Sequence, residues 1–433
     1  MMSEFKYQKD TLHAESVSLV RVAEEVGTPV YCYSTSALKT NYINFARAFD
    51  GMDVLIAYSV KANSNQSVIT TLSTCGAGAD VVSEGELRRV LTAGVPGGRI
   101  VFSGVGKTET ELLQGLNAKV HQFNLESKTQ LESLSALAQR QNVTAQVAFR
   151  INPDVDAKTH DKIATGRKVD KFGVSIAEAR DLYALAGNLP GIEVTGIDLH
   201  IGSQLTSLKP FREAFVYLAE LVTVLRNDGH AIERLDLGGG LGIRYREEDP
   251  PTPSAYAGLV KELLGDLGCQ LILEPGRFLV ADAGVLLSRV IEVKYSEDHR
   301  FVIVDAAMND LLRPALYDAW HPIDPVCKPP SNVERRTVEI VGPICESGDT
   351  LGHARAMSYL APGDLIAIGA AGAYGAVMSS SYNTRAPAPE VMVNGDEFAV
   401  VRPRVDLDTM IGQDKLPRWL GTSKQSAREQ GIT

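Results

Sequence analysis

Short β-rich runs alternate with helical patterns eight times between Val54 and Leu273. The runs are Val54–Val60, Ala79–Ser83, Ile100–Ser103, Gln122–Leu125, Ala145–Ile151, Val194–Ile201, Arg234–Leu237 and Gln270–Leu273. Between them lie segments such as Ser83-Glu84-Gly85-Glu86-Leu87-Arg88-Arg89-Val90-Leu91, with apolar residues at helical spacing behind a serine suited to cap a helix. Eight such repeats predict an α/β fold, a closed (β/α)8 TIM barrel, over residues 33–285. An open doubly wound sheet is the alternative, and the count of eight disfavours it.

After about Leu286 the texture changes. Arg289–Val293, Phe301–Val304, Thr337–Val341, Asp364–Ile368 and Phe398–Val401 lack long intervening helices and predict a second, mostly β domain over 286–420. Pro314–Asn332 is proline-rich and reads as an irregular loop. Residues 421–433 are polar and read as a flexible tail.

Composition narrows the partners. The net charge of −10 argues against a general nucleic-acid binder or a binder of anionic membranes. No apolar run is long enough to span a bilayer, and the N-terminal residues do not read as a signal peptide. The five cysteines are odd in number, scattered and without metal-ligand spacing, so no metal is expected and a cytoplasmic location is.

Four of the eight runs end in unusual residues: Lys61 in "AYSVKAN", His200 in "HIGSQ", Gly240 in "GGGLG" and Glu274 in "EPGR". In a closed barrel, strands 6, 7, 8 and 1 are neighbours and present their ends on one rim, where barrel enzymes carry their chemistry. A partly desolvated lysine can bond to a carbonyl carbon. Glycine-rich turns admit a phosphate to the backbone. An acid can hold a pyridine nitrogen protonated, and a flat imidazole can pack on a ring. Together they describe a pyridoxal-phosphate pocket. Taken singly, each has a plainer reading: a solvated rim lysine, a tight turn, a turn with an ion pair, a core histidine. Their joint occurrence on one rim favours the site.

The motifs "YSVKAN", "HIGSQ", "LDLGGGLGI", "EPGR" and "CESGD" resemble the diaminopimelate decarboxylase family, in the alanine-racemase-like class of pyridoxal-phosphate enzymes. The likeness runs from about Thr28 to Trp419. It implies that residues 1–32 join the C-terminal β domain, and that two copies form a homodimer with shared active sites. It implies covalent attachment of the cofactor to Lys61, a ring-nitrogen role for Glu274 and ring packing by His200. Gly240, Gly276, Arg277 and Ser203 fall at the phosphate or beside it. Cys345 matches a proton donor that reaches across the dimer, and Tyr374 matches a tyrosine touching cofactor and substrate. Arg277, Arg313 and Tyr317 match positions that meet the substrate's distal carboxylate, and Glu346 can pair with its distal ammonium. The expected reaction is decarboxylation of meso-2,6-diaminopimelate to L-lysine and CO2, the last step of lysine biosynthesis.

Other readings remain at this stage. A racemase needs two bases on opposite ring faces and usually a less electron-withdrawing environment at the ring nitrogen, so Glu274 and Cys345 argue for decarboxylation. A decarboxylase of ornithine, arginine or a carboxylated polyamine would not need Arg313 and Tyr317. A non-catalytic pyridoxal-phosphate carrier would not need the C-terminal domain with Cys345 and Tyr374. A cofactor-free aldolase would not need the glycines together with Glu274. The polar stretch Asn152–Val174 after the fifth strand is expected to move over the pocket.

Overall fold

The computed structural model describes residues 4–155, 171–296, 299–330 and 332–420. Most of the expected moving stretch, and all of the expected tail, lie outside the described residues.

Eight parallel strands close into a barrel: Val54–Ser59, Gly78–Val81, Ile100–Phe102, Gln122–Leu125, Ala145–Asn152, Ile192–Asp198, Arg234–Asp236 and Gln270–Leu273. Each pairs with the next, and the last returns to the first through Leu271↔Val54, Ile272↔Leu55 and Leu273↔Ile56. The expected strands are all present. The sixth begins at Ile192 and stops at Asp198, so His200 lies just past its end. The first stops at Ser59, and a single 3-10 turn, Val60–Ala62, carries Lys61.

Helices fill the outside between successive strands. Ser83 caps the helix Glu84–Thr92 by accepting from the Glu86 N–H at 3.2 Å. Only the short helix Arg277–Val280 follows the eighth strand. The gap is filled from the other end of the chain. Thr35–Arg47 packs against Gln66–Thr74, Pro253–Leu264 and Arg277–Val280, completing the ring.

The period of two along a strand sets the barrel's interior. Leu55, Ala57, Val101 and Ile272 form a small buried apolar cluster. Two residues further along their strands, Ser59 and Glu274 share those inward directions. Asp80 and Asp236 join them, all buried. The interior is therefore apolar below and polar towards the C-terminal rim.

The second domain is built on a mixed sheet. Its long strand Gly284–Tyr295 pairs with Val30–Ser34, Arg300–Val304 and Leu365–Ile368. Val30–Ser34 also pairs in parallel with Glu390–Asn394. The N-terminal residues Phe5, Leu12, Val17, Leu19 and Val22 share a core with Val285, Leu287, Val391 and Val393. Four of the five β runs read after Leu286 fall within strands, and the fifth, Asp364–Ile368, starts one residue before the strand Leu365–Ile368. Pro314–Asn332 is more regular than expected: it contains most of a helix, Arg313–Tyr317, and a strand, Ile323–Pro325, paired with Leu365–Ile368. Proline at the first turn favours that helix, and Pro325 ends a three-residue strand, so proline content misled the reading.

Candidate active site

A cavity of about 730 Å³ opens at the C-terminal rim of the barrel. Lys61, His200, Ser203, Gly240, Glu274, Gly276 and Arg277 line its barrel side. Arg313, Tyr317 and Tyr374 line it from the second domain. Ten of the twelve expected site residues thus meet in one place.

Lys61 Nζ lies 3.2 Å from Asp80 Oδ2, which also accepts from Ser59 Oγ at 2.7 Å. The lysine side chain is 39% exposed while that of Asp80 is fully buried, so the amine faces the open cavity and its counter-ion the protein. Burial lowers the lysine's pKa. The carboxylates of Asp80 and Glu274 outweigh it, and the net direction is up. The strand-end lysine is therefore a paired ammonium when no ligand competes for it.

Glu274 is buried at the end of the eighth strand, and Ser103 Oγ donates to its Oε1 at 3.3 Å. Burial and the neighbouring Asp236, Asp80 and Asp198 raise its pKa well above the carboxylate range. A carboxyl in such surroundings suits a cationic N–H partner. Asp236 accepts from Asn124 Nδ2 at 2.8 Å and from the Gly238 N–H at 3.0 Å. Burial outweighs these bonds and pushes its pKa up to about 6. A carboxyl raised in the fold contributes stability fully below its ordinary value of 3.8 and loses that contribution as the pH rises through about 6. Asp236→Asn removes this titration. Its melting temperature relative to the parent should therefore improve from pH 4 to pH 7, by the equivalent of roughly 3 kcal/mol at most. Melts of both proteins without ligand check this, and a pH-independent difference would refute it.

His200 stands against the glycine turn, and the Gly239 N–H donates to its Nδ1 at 3.1 Å. Burial, with Arg150 and Lys61 nearby, depresses its pKa, so the ring is neutral. Gly238 and Gly240 are dictated by space and conformation. Both have positive φ. A Cβ on Gly238 would lie 2.4 Å from His200 Nδ1, and one on Gly240 2.6 Å from the Gly202 carbonyl. Beside this turn, Arg277 Nη2 donates to Ser203 Oγ at 3.0 Å and Nη1 to the Tyr245 hydroxyl at 2.6 Å. The buried Arg277 Nε has no hydrogen-bond acceptor. This end of the cavity suits an anion.

Arg313 is 6% exposed, with its guanidinium carbon 4.8 Å from the Tyr245 ring centre. No carboxylate among the described residues pairs with Arg277 or Arg313, so two buried cations face the cavity. Tyr374 has φ +56°, a left-handed conformation that a bulky residue rarely adopts, and lies 4.9 Å from the Arg277 guanidinium carbon.

Cys345 and Glu346 lie outside the cavity and are exposed. Asp349 holds their turn, accepting from the Ile344 N–H at 2.7 Å and the Met308 N–H at 2.6 Å. Glu346 lies beside Tyr382 and raises the pKa of its hydroxyl.

The sequence reading passed over Asp80, Asp236, Tyr245 and His321. The two aspartates had a signal: acids inside otherwise apolar strand runs, "GADVV" and "LDLGGG". Tyr245 and His321 lie in connecting segments with no pattern to single them out.

A parallel barrel with a rim lysine, a buried acid and an anion cradle fits a pyridoxal-dependent enzyme. A family model described as "Pyridoxal-dependent decarboxylase, pyridoxal binding domain" matches residues 35–281. A diaminopimelate decarboxylase from Pseudomonas aeruginosa is 49% identical over 418 residues, covering 96% of this chain and all of that one. The diaminopimelate decarboxylase of Helicobacter pylori, solved with L-lysine, has a TM-score of 0.88 at 39% identity, covering 91% of this chain and 98% of the other. That of M. jannaschii, also solved with L-lysine, has a TM-score of 0.92 at 36% identity, covering 96% and 99%. The chain belongs to the diaminopimelate decarboxylase family.

Proposed function

We propose that the chain decarboxylates meso-2,6-diaminopimelate to L-lysine and CO2, the final step of lysine biosynthesis, with pyridoxal phosphate as cofactor. The observation that carries the substrate assignment is the pair of buried guanidiniums, Arg277 and Arg313, which line the cavity that holds Lys61 and pair with no carboxylate among the described residues. The residues present fit the cofactor. The unpartnered Arg277 Nε, Ser203 and the close backbone of Gly240 and Gly276 suit its phosphate. Glu274, whose charge the pocket does not balance, suits its ring nitrogen.

When bound, pyridoxal phosphate supplies a carbonyl that takes up an amine and a ring that accepts the electrons released with CO2. Lys61 would hold the cofactor through its amine. Glu274 keeps a proton deep in the pocket, and Asp80 receives the Lys61 ammonium again when the lysine is released. His200, neutral and flat, would hold the cofactor's ring by packing. Arg313 offers a planar fork to the distal carboxylate, with Arg277, Tyr317 and Tyr374 alongside. A substrate with only a distal ammonium would leave that fork uncompensated, which disfavours ornithine-type substrates.

Cys345 and Glu346 act from a partner copy in a homodimer. Their exposure away from their own cavity supports this. So does the exposed apolar stretch with Ile411, Leu416, Trp419 and Leu420. Cys345 returns a proton to the carbon that lost CO2, and Glu346 pairs with the distal ammonium. We take residues 33–285 as the cofactor-binding unit and 1–32 with 286–420 as the β unit, the strand Val30–Ser34 leading from one to the other. None of the described helices is long and apolar enough to cross a membrane. The free thiols support a cytoplasmic location.

The test is formation of lysine and CO2 from meso-diaminopimelate by the purified protein with bound cofactor. Turnover of ornithine or arginine in preference to diaminopimelate would overturn the substrate assignment.

A further inference from the structure

His321 is completely buried in the second domain, just before the strand Ile323–Pro325. Its Nδ1 lies 2.8 Å from the carbonyl oxygen of Gly369, and its Nε2 lies 2.8 Å from Arg313 Nη1. The partners decide the protonation of both nitrogens. A carbonyl oxygen only accepts, so Nδ1 carries the hydrogen. A guanidinium only donates, so Nε2 is a bare acceptor. The ring is neutral in this arrangement, and a second proton would face a cation.

The anchor is rigid. Gly369 follows the strand Leu365–Ile368, and its own N–H donates to the Pro322 carbonyl at 2.7 Å. The Tyr245 ring meets His321 edge-on at 5.3 Å between ring centres. Tyr245 in turn takes the Arg277 hydrogen bond. Sheet, His321, Arg313, Tyr245 and Arg277 thus form one connected wall of the cavity.

The choice of imidazole has a chemical reason. An aspartate or glutamate here would hold Arg313 equally well, but would neutralise it. A neutral acceptor takes one N–H and leaves the positive charge for an incoming carboxylate.

We propose that His321 is a positioning residue that presents Arg313 to the substrate's distal carboxylate, and so sets the preference for an amino acid over a plain diamine. The proposal rests on the reading of Arg313 given above. Two variants of the holoenzyme test it. His321→Asn keeps a donor near the Gly369 carbonyl but ends short of Arg313. His321→Leu removes both bonds. The probes are meso-diaminopimelate as substrate, and L-lysine and 1,5-diaminopentane as competitive inhibitors, which differ by one carboxylate. In His321→Asn, the KM for diaminopimelate and the inhibition constant of L-lysine should each rise about tenfold or more, while kcat stays within about threefold. Inhibition by 1,5-diaminopentane should be unchanged. His321→Leu should show the same split if it folds, and the Asn variant decides if it does not. Equal weakening of lysine and diamine would make His321 merely structural and overturn the proposal. So would an Asn variant that still favours lysine as strongly as the parent. A parent enzyme that binds lysine no better than the diamine would instead remove the underlying reading of Arg313.

Discussion

Lys61→Arg should lose more than ~10³-fold in turnover while the protein stays folded. The guanidinium keeps a positive charge beside Asp80, so the ion pair has a replacement. It stays protonated in any protein environment and cannot bond to a carbonyl carbon, so the chemistry has none. Lys61→Ala should be equally inactive but also less stable. Breaking a fully buried pair costs about 3–5 kcal/mol. Here the loss should be well below that, because the lysine is 39% exposed and Ser59 still donates to Asp80. Lysine formation and thermal melts on the two variants separate the effects. An arginine variant within about tenfold of the parent would remove Lys61 from the chemistry.

Glu274→Gln should cut kcat by ~10²–10⁴-fold, the range for removing a positioned proton-holding group. Stability without ligand should not fall and should rise slightly near neutral pH. Glu274 sits among Asp236, Asp80 and Asp198, and a neutral amide relieves that repulsion. Retention of the cofactor's absorbance band would show that the loss lies in chemistry and not in binding. An unchanged kcat would take the ring-nitrogen role away from Glu274. Activity and stability moving in opposite directions is the mark of a residue held in an unfavourable setting for function.

The barrel was legible because its signal is repeated. Eight strand runs spaced by amphipathic segments leave few alternatives, and errors of a few residues at the sixth strand or at Val60 do not change the topology. The rim residues were legible because Lys61, His200, Gly240 and Glu274 each break an apolar run at its end. Asp80 and Asp236 break their runs too, but each is followed by another apolar residue, Val81 and Leu237, and so passed as exceptions. His321 is different in kind. It acts through residues 8 and 48 positions away, Arg313 and Gly369, and only the folded second domain brings them together. Cys345 carried a motif, but its exposure outside the cavity that its fellow motif residues line is visible only in the fold.

The strand Val30–Ser34 lies between Gly284–Tyr295 and Glu390–Asn394 in the sheet. During synthesis it leaves the ribosome long before either neighbour exists. The barrel's eight strands can pair in the order of their emergence, while this early strand waits for more than 350 residues to follow before Glu390–Asn394 arrives. Until then at least one of its edges is unpaired, an exposure that invites wrong partners. Arg313 and Tyr374 reach the cavity only with those late strands. A nascent chain therefore displays Lys61 before the second-domain wall of its cavity exists, and that wall is the last part of the cavity to be built.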